Sequence, residues 1–347
     1  MAQREVFIST LFEKAKLDKD IYLLSVDMGA VSLDIWRDEL PDQFIAMGIS
    51  EQNAINVAAG LSATGKKVYV YFMACWVARC FEQIRYSCAM GKNPITILGA
   101  GPALGYSPAG PAHSPVEDIA YMRSLAGIEI YSPACDRIAE GLVDLTINEP
   151  KLRYIRLERS YPKVMDKVYS DKNIDNTFLS KGIHIIKENS NVLNQDLCII
   201  SSGYMLGRAF EIAEKLELQG LGVSIIDLFK INSIDDKYLL EKIKNYDTIV
   251  TIEEQFLSGG LGSFVCEILA DSRMQKEILR IGLPNKYIFD NGSRDHLLDS
   301  NNLSVNDILS MIMSFISKKT HKSKELIYLL ISFLKYINTF THKHRLI

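Results

Sequence analysis

A carboxylate at the junction of an apolar run and a helix start is the strongest chemical feature of this sequence. In Met47-Gly48-Ile49-Ser50-Glu51-Gln52-Asn53, residues 44–47 read as a strand and Ser50 as an N-cap, while Ile55, Ala58, Ala59 and Leu61 recur at helical spacing. Glu51 therefore falls in the first helical turn, at the C-terminal edge of a sheet, where open α/β sheets bind ligands. Such an acid can exchange a proton with a ligand if buried, or merely complement the helix dipole. His113 ends a loop at 99–113 rich in Gly, Pro and Ala, a placement that suits contact with a ligand as well as a structural role. Asp27 closes an apolar run at 21–26 and reads equally as a turn residue or a site residue. Arg159 follows a strand-like run at 152–157; it can grip an anion or pair with Glu158. Arg79 and Glu82, three residues apart, are expected as a solvated ion pair.

The elements that must hold these groups alternate between short apolar runs and amphipathic stretches. Strands are expected at 21–26, 44–47, 68–72, 94–98, 128–131 and 152–157, and helices at 5–17, 51–61, 74–90, 116–122 and 136–147, the pattern of a parallel sheet. A polar segment at 162–180 reads as a linker. A second α/β unit follows, with strands at 197–201, 223–226 and 248–252 and helices at 205–218 and 235–245. Ser258-Gly259-Gly260-Leu261-Gly262 lacks the spacing and first-strand context of a dinucleotide fingerprint and reads as a tight turn. The loop Gly292-Ser293-Arg294-Asp295-His296 has no assigned chemistry.

Composition excludes several function classes. The chain of 347 residues is 48% hydrophobic, enough for two packed domains, and its 39 basic against 42 acidic side chains give no electrostatic footprint for nucleic acid. Six cysteines lie scattered without zinc-ligand spacing, so reduced thiols in a cytoplasmic protein are expected. The N-terminus lacks the apolar segment of a signal peptide. Beyond Lys318 the chain becomes basic and apolar. The run at 326–334 is too short to span a bilayer, leaving a helix on a membrane surface or one packed on protein.

Ile49-Ser50-Glu51-Gln52-Asn53, together with the opening Gln3-Arg4-Glu5-Val6-Phe7, the run Phe81-Glu82-Gln83-Ile84-Arg85 and Gly260-Leu261-Gly262, resembles transketolase, a family that uses thiamine diphosphate. The resemblance implies an α/β chain of two domains, a parallel-sheet pyrimidine-binding domain at 1–161 and a smaller transketolase C-terminal domain at 181–318. The linker at 162–180 joins them and a tail at 319–347 follows. It implies that Glu51 contacts N1′ of the aminopyrimidine ring and favours the imino tautomer, whose 4′-imine takes the proton from thiazolium C2. Trp76 stands where the family keeps a ring-stacking aromatic, usually Phe, and Met73 where it keeps another aromatic; Ile49 joins them as a cofactor contact. Gly110-Pro111-Ala112-His113 is similar to the loop whose histidine borders the substrate channel, which makes His113 catalytic and substrate-binding. Arg159 matches an arginine that holds the sugar phosphate, and Asp27 an aspartate near the active site.

The loop also departs from the family. An aspartate that bonds a donor hydroxyl is replaced by Ala109, its preceding glutamate by Pro108, and an earlier histidine by Gly101. Each lost contact removes about 1–3 kcal/mol of discrimination, so a specialised sugar is expected rather than the ordinary pentose phosphates. No Gly-Asp-Gly motif occurs, so the Mg²⁺ and diphosphate ligands are expected on a separate N-terminal subunit in an α2β2 assembly, with no metal ligand in this chain. The implied activity is ketol transfer. The beta subunit of a 2-oxo acid dehydrogenase and a non-catalytic partner subunit are the rival readings.

Overall fold

The computed structural model describes residues 2–189 and 197–318. Residues up to Ser304 belong to one compact unit, and 305–318, outside it, form a helix. The tail at 319–347 lies outside the described residues.

Six strands alternate with helices in the first half: β1 (Ile21–Val26), β2 (Phe44–Gly48), β3 (Lys67–Met73), β4 (Ile95–Ala100), β5 (Glu129–Tyr131) and β6 (Arg153–Leu157). They form one sheet in the order β2-β1-β3-β4-β6-β5, with every pair parallel. Helices cover both faces, so the middle strands are buried throughout; Val68, Tyr69, Val70, Tyr71 and Phe72 are at most 2% exposed. That is why apolar runs rather than alternation mark these strands. The strand order reverses between β1 and β3, which places a crevice for ligands beyond their C-terminal ends.

The second sheet contains β7 (His184–Lys187), β8 (Leu197–Ser201), β9 (Val223–Asp227), β10 (Thr248–Phe256) and β11 (Glu277–Leu283), in the order β11-β10-β8-β9-β7. All pairs are parallel except β7 with β9. Backbone bonds from Ser132 N to the Phe229 carbonyl (2.7 Å) and from Ile231 N to the Ile130 carbonyl (2.9 Å) tie the β5 edge of the first sheet to this one. β10 runs on through Glu253 and Glu254, which the sequence reading places after the strand. The helix Leu261–Asp271 then starts over the Glu253 carboxylate, which accepts from the amides of Leu261 (2.7 Å) and Gly262 (2.9 Å). The chain's own acid thus fills the anion position at this helix start.

Segment 162–180 is firmly held. It carries two short helices, Val164–Val168 and Asn176–Lys181, and the Arg137 guanidinium donates to the carbonyls of Tyr169, Ser170 and Lys172. Tyr169 is fully buried and its hydroxyl donates to Asp227 Oδ2 at 2.5 Å. Burial pushes the Asp227 carboxyl up to about 8, against the opposing effect of the Tyr169 bond. The folded form therefore keeps a proton that the unfolded chain releases near about pH 4. Stability from this group is complete below that value and is lost as pH rises towards 8. Asp227→Asn should flatten the decline in thermal midpoint between pH 5 and pH 8, measured by circular dichroism.

Candidate active site

Gly48 turns the chain from β2 into the helix Glu51–Ala63 through a left-handed conformation, φ 65°. Ser50 precedes the helix, but its hydroxyl donates to the Met47 carbonyl at 2.6 Å and accepts no helix amide. The expected side-chain cap is absent, and the hydroxyl bonds back to the strand end instead. Glu51 follows, buried at 5% exposure.

Arg79 Nη1 donates to Glu51 Oε2 at 3.1 Å. Among the described residues Glu51 Oε1 accepts no hydrogen bond. The thiols of Cys75 and Cys80 nearby are pushed up to about 12, chiefly by burial, and stay neutral. The expected pair between Arg79 and Glu82 does not form. Residues 74–90 wind as a 3₁₀-helix (Ala74–Cys80), one α turn (Phe81–Gln83) and a π-helix (Ile84–Met90), not as the single regular helix expected. In a 3₁₀-helix, side chains three apart eclipse, so Arg79 stands over Trp76. Its guanidinium lies 4.4 Å from the ring centroid.

Trp76 in turn meets His113 edge to face, with ring centroids 5.5 Å apart. Two 3₁₀ turns, Ser107–Ala109 and Pro111–His113, shape the end of the loop, and His113 Nδ1 lies 3.2 Å from the Ala109 carbonyl. Glu51, Trp76 and His113 thus come together beyond β2, β3 and β4, joined by Arg79. Met73 is half-buried at the end of β3, Ile49 is 76% exposed beside Glu51, and Asp27 is exposed just beyond β1. A cleft of about 280 Å³ opens alongside, between Cys75 and Ala78 on one side, Pro111, Ala112 and Ser114 on another, and Tyr287 and Phe289. Among the described residues, no group of three or more His, Cys, Asp or Glu side chains is placed to hold a metal ion.

Arg159 does not pair with Glu158. Its guanidinium lies 4.5 Å from the centroid of Tyr106, whose hydroxyl accepts from Arg4 Nη1 at 3.1 Å. Tyr106 also accounts for the glycine at 101: a Cβ there would lie 2.1 Å from two carbons of its ring, at φ 64°. Glu158 is taken by Arg294, in the stretch to which the sequence assigned no chemistry. Arg294 donates to both oxygens of Glu158 (2.7 and 3.0 Å) and both oxygens of Glu254 (2.5 to 3.0 Å). Glu254 Oε1 also accepts from the Leu104 amide (3.2 Å), so this buried cluster anchors the loop that carries Tyr106 and His113. Sequence reasoning paired Arg79 with Glu82 instead of Glu51 and gave no role to Arg4, Tyr106 or Arg294. Only the three-residue spacing of Trp76 and Arg79 offered a local signal.

Comparison with known proteins gives this geometry a family. Residues 1–163 match the transketolase pyrimidine-binding domain, and residues 188–308 match the transketolase C-terminal domain. An apulose-4-phosphate transketolase subunit of Phocaeicola vulgatus is 32% identical over 92% of this chain and 98% of its own length. The chain belongs to the transketolase family. A putative transketolase C-terminal section of Methanocaldococcus jannaschii is 29% identical over 91% of this chain and 96% of its own. Among solved structures, a split-gene transketolase described as an inactive beta4 tetramer superposes with a TM-score of 0.78 at 28% identity, covering 91% of this chain and 99% of that one. The fold expected for the family, a parallel pyrimidine-domain sheet followed by a second α/β unit, is the fold observed. No helix among the described residues is long and apolar enough to cross a membrane.

Proposed function

We propose that this chain is the C-terminal subunit of a split, thiamine diphosphate-dependent transketolase that moves a two-carbon ketol unit from a ketose donor to an aldose acceptor. The observation that carries the reading is the buried Glu51 carboxylate at the sheet edge, with one oxygen held by Arg79 and the other uncommitted, beside the ring of Trp76. When bound, the coenzyme supplies a nucleophilic thiazolium carbon. Glu51 holds and returns the proton at N1′, a role suited to an acid screened from water. Trp76 offers the pyrimidine ring the face that Arg79 leaves uncovered, and Met73 and Ile49 line the ring's apolar surroundings. His113 contacts the donor sugar, Arg159 takes its phosphate, and Asp27 completes the sugar side. Gly101, closed off by Tyr106, and Ala109 set a specificity different from that for ordinary pentose phosphates.

In this proposal the domains divide at 1–161 and 181–318, and a separate N-terminal subunit with a Gly-Asp-Gly motif brings Mg²⁺ and holds the diphosphate in a cytoplasmic α2β2 assembly. Two relatives whose names describe a transketolase subunit and a transketolase C-terminal section support that division of labour. The test mixes the purified chain with such a partner and follows coenzyme binding by calorimetry and ketose consumption by coupled assay. Both are expected only when the two chains are together. Ketose turnover by this chain alone, with thiamine diphosphate and Mg²⁺, would overturn the proposal.

A further inference from the structure

We infer that Arg79 is a positioning residue that fixes both cofactor-facing side chains, Glu51 and Trp76, at once; the inference rests on the role proposed for Glu51. Three contacts converge on this one residue. Nη1 donates to Glu51 Oε2 at 3.1 Å, the guanidinium lies over Trp76 at 4.4 Å, and the backbone carbonyl accepts from Gln52 Nε2 at 3.0 Å. The first links an acid at the start of the helix beyond β2 to the turn beyond β3. The second is set by the 3₁₀ winding of Ala74–Cys80, which stacks residues three apart. The third ties the helix beginning at Glu51 to the same turn.

The geometry gives Arg79 work that an ordinary surface arginine lacks. Its side chain is 44% exposed, whereas its carboxylate partner is 6% exposed, so the pair straddles the wall of the site rather than sitting on open surface. A planar guanidinium can donate at its edge while a ring packs on its face, a combination an ammonium cannot reproduce. Arg79 therefore holds the Glu51 carboxylate by one oxygen, leaving Oε1 for the coenzyme, and braces the indole against rotation about its side-chain bonds. Its displacement would loosen two contacts to the pyrimidine ring together.

The experiment uses the chain assembled with its diphosphate-binding partner, comparing Arg79→Gln and Arg79→Lys with wild type and with Glu51→Gln. Thiamine diphosphate with Mg²⁺ is titrated by calorimetry, turnover is measured at saturating coenzyme, and the emission of Trp76 is recorded without coenzyme. Trp36, the chain's other tryptophan, is fully buried against Phe12 with its indole N–H donating to the Ile8 carbonyl, and serves as a constant background. Arg79→Gln should weaken coenzyme affinity about 10- to 100-fold, the range for loss of a charged hydrogen bond, and shift Trp76 emission. Arg79→Lys should recover part of the affinity and leave the emission shifted, because charge returns without the planar face. Wild-type affinity and emission in Arg79→Gln would overturn the inference. So would tighter coenzyme binding, which would mean that Arg79 occupies the ring's own place. If Glu51→Gln is inactive while Arg79→Gln behaves as wild type, only this inference falls; if Glu51→Gln also retains full turnover, the proposed function falls with it.

Discussion

Glu51→Gln should lower ketol transfer by the assembled enzyme about 10²- to 10⁴-fold, the usual worth of a positioned acid–base group. The substitution is close to isosteric. The amide oxygen can still accept from Arg79 Nη1, so the 3.1 Å link to the turn carrying Trp76 should survive. The amide nitrogen cannot return a proton to the pyrimidine, so the loss should fall on kcat at saturating coenzyme while assembly with the partner, followed by gel filtration, stays unchanged. The same variant separates the rival readings. A non-catalytic partner subunit would show no change, and pyruvate-dependent reduction of a lipoyl domain by the wild-type complex would identify a 2-oxo acid dehydrogenase instead.

The placement of Glu51 at a strand–helix junction was legible because its signal is local. An apolar strand, a turn and a helix start fall within ten residues, and a family motif overlies them. Most buried strands announced themselves for the same reason, since a strand covered on both faces reads as an unbroken apolar run. What stayed hidden depends on distance along the chain or on subtle winding. Periods of helices that differ by less than a residue per turn barely separate the apolar positions of 74–90, so the 3₁₀ and π segments were not distinguished from a regular helix, and the three-residue spacing of Trp76 and Arg79 alone did not reveal their stacking. Arg79 finds its carboxylate 28 residues away, while the acid three residues along, Glu82, lies beyond the 3₁₀ segment. Glu158 likewise had an obvious neighbour in Arg159, yet its partner is Arg294, 136 residues on. β7 is a short, half-buried edge strand, and β11 is more exposed than its neighbours, so neither carries the run that marks the central strands.

Removing that distant partner should be the most damaging single change to stability. Arg294 is about 10% exposed, and the carboxylates it binds, Glu158 and Glu254, are about 3% and 5% exposed. The guanidinium donates to all four carboxylate oxygens and stacks on Tyr204 at 3.7 Å, and the two acids raise its affinity for its proton despite burial. Burial already pushes the Glu254 carboxyl up, with the Arg294 charge opposing. Arg294→Met fills similar volume but leaves two acids facing one another with no cation between them. Breaking a buried pair in this way costs about 3–5 kcal/mol, and here one arginine serves two acids. The midpoint of chemical unfolding should fall accordingly, most at high pH, where the Glu254 carboxyl, already pushed up by burial, must ionise. Adding Glu254→Gln to Arg294→Met should recover part of the loss, because only one buried charge then remains. The Leu104 amide keeps an oxygen to bond in that double variant, so the loop bearing Tyr106 and His113 should stay anchored. Turnover per folded enzyme should therefore fall far less than stability does, which distinguishes this buried clamp from the chemistry centred on Glu51.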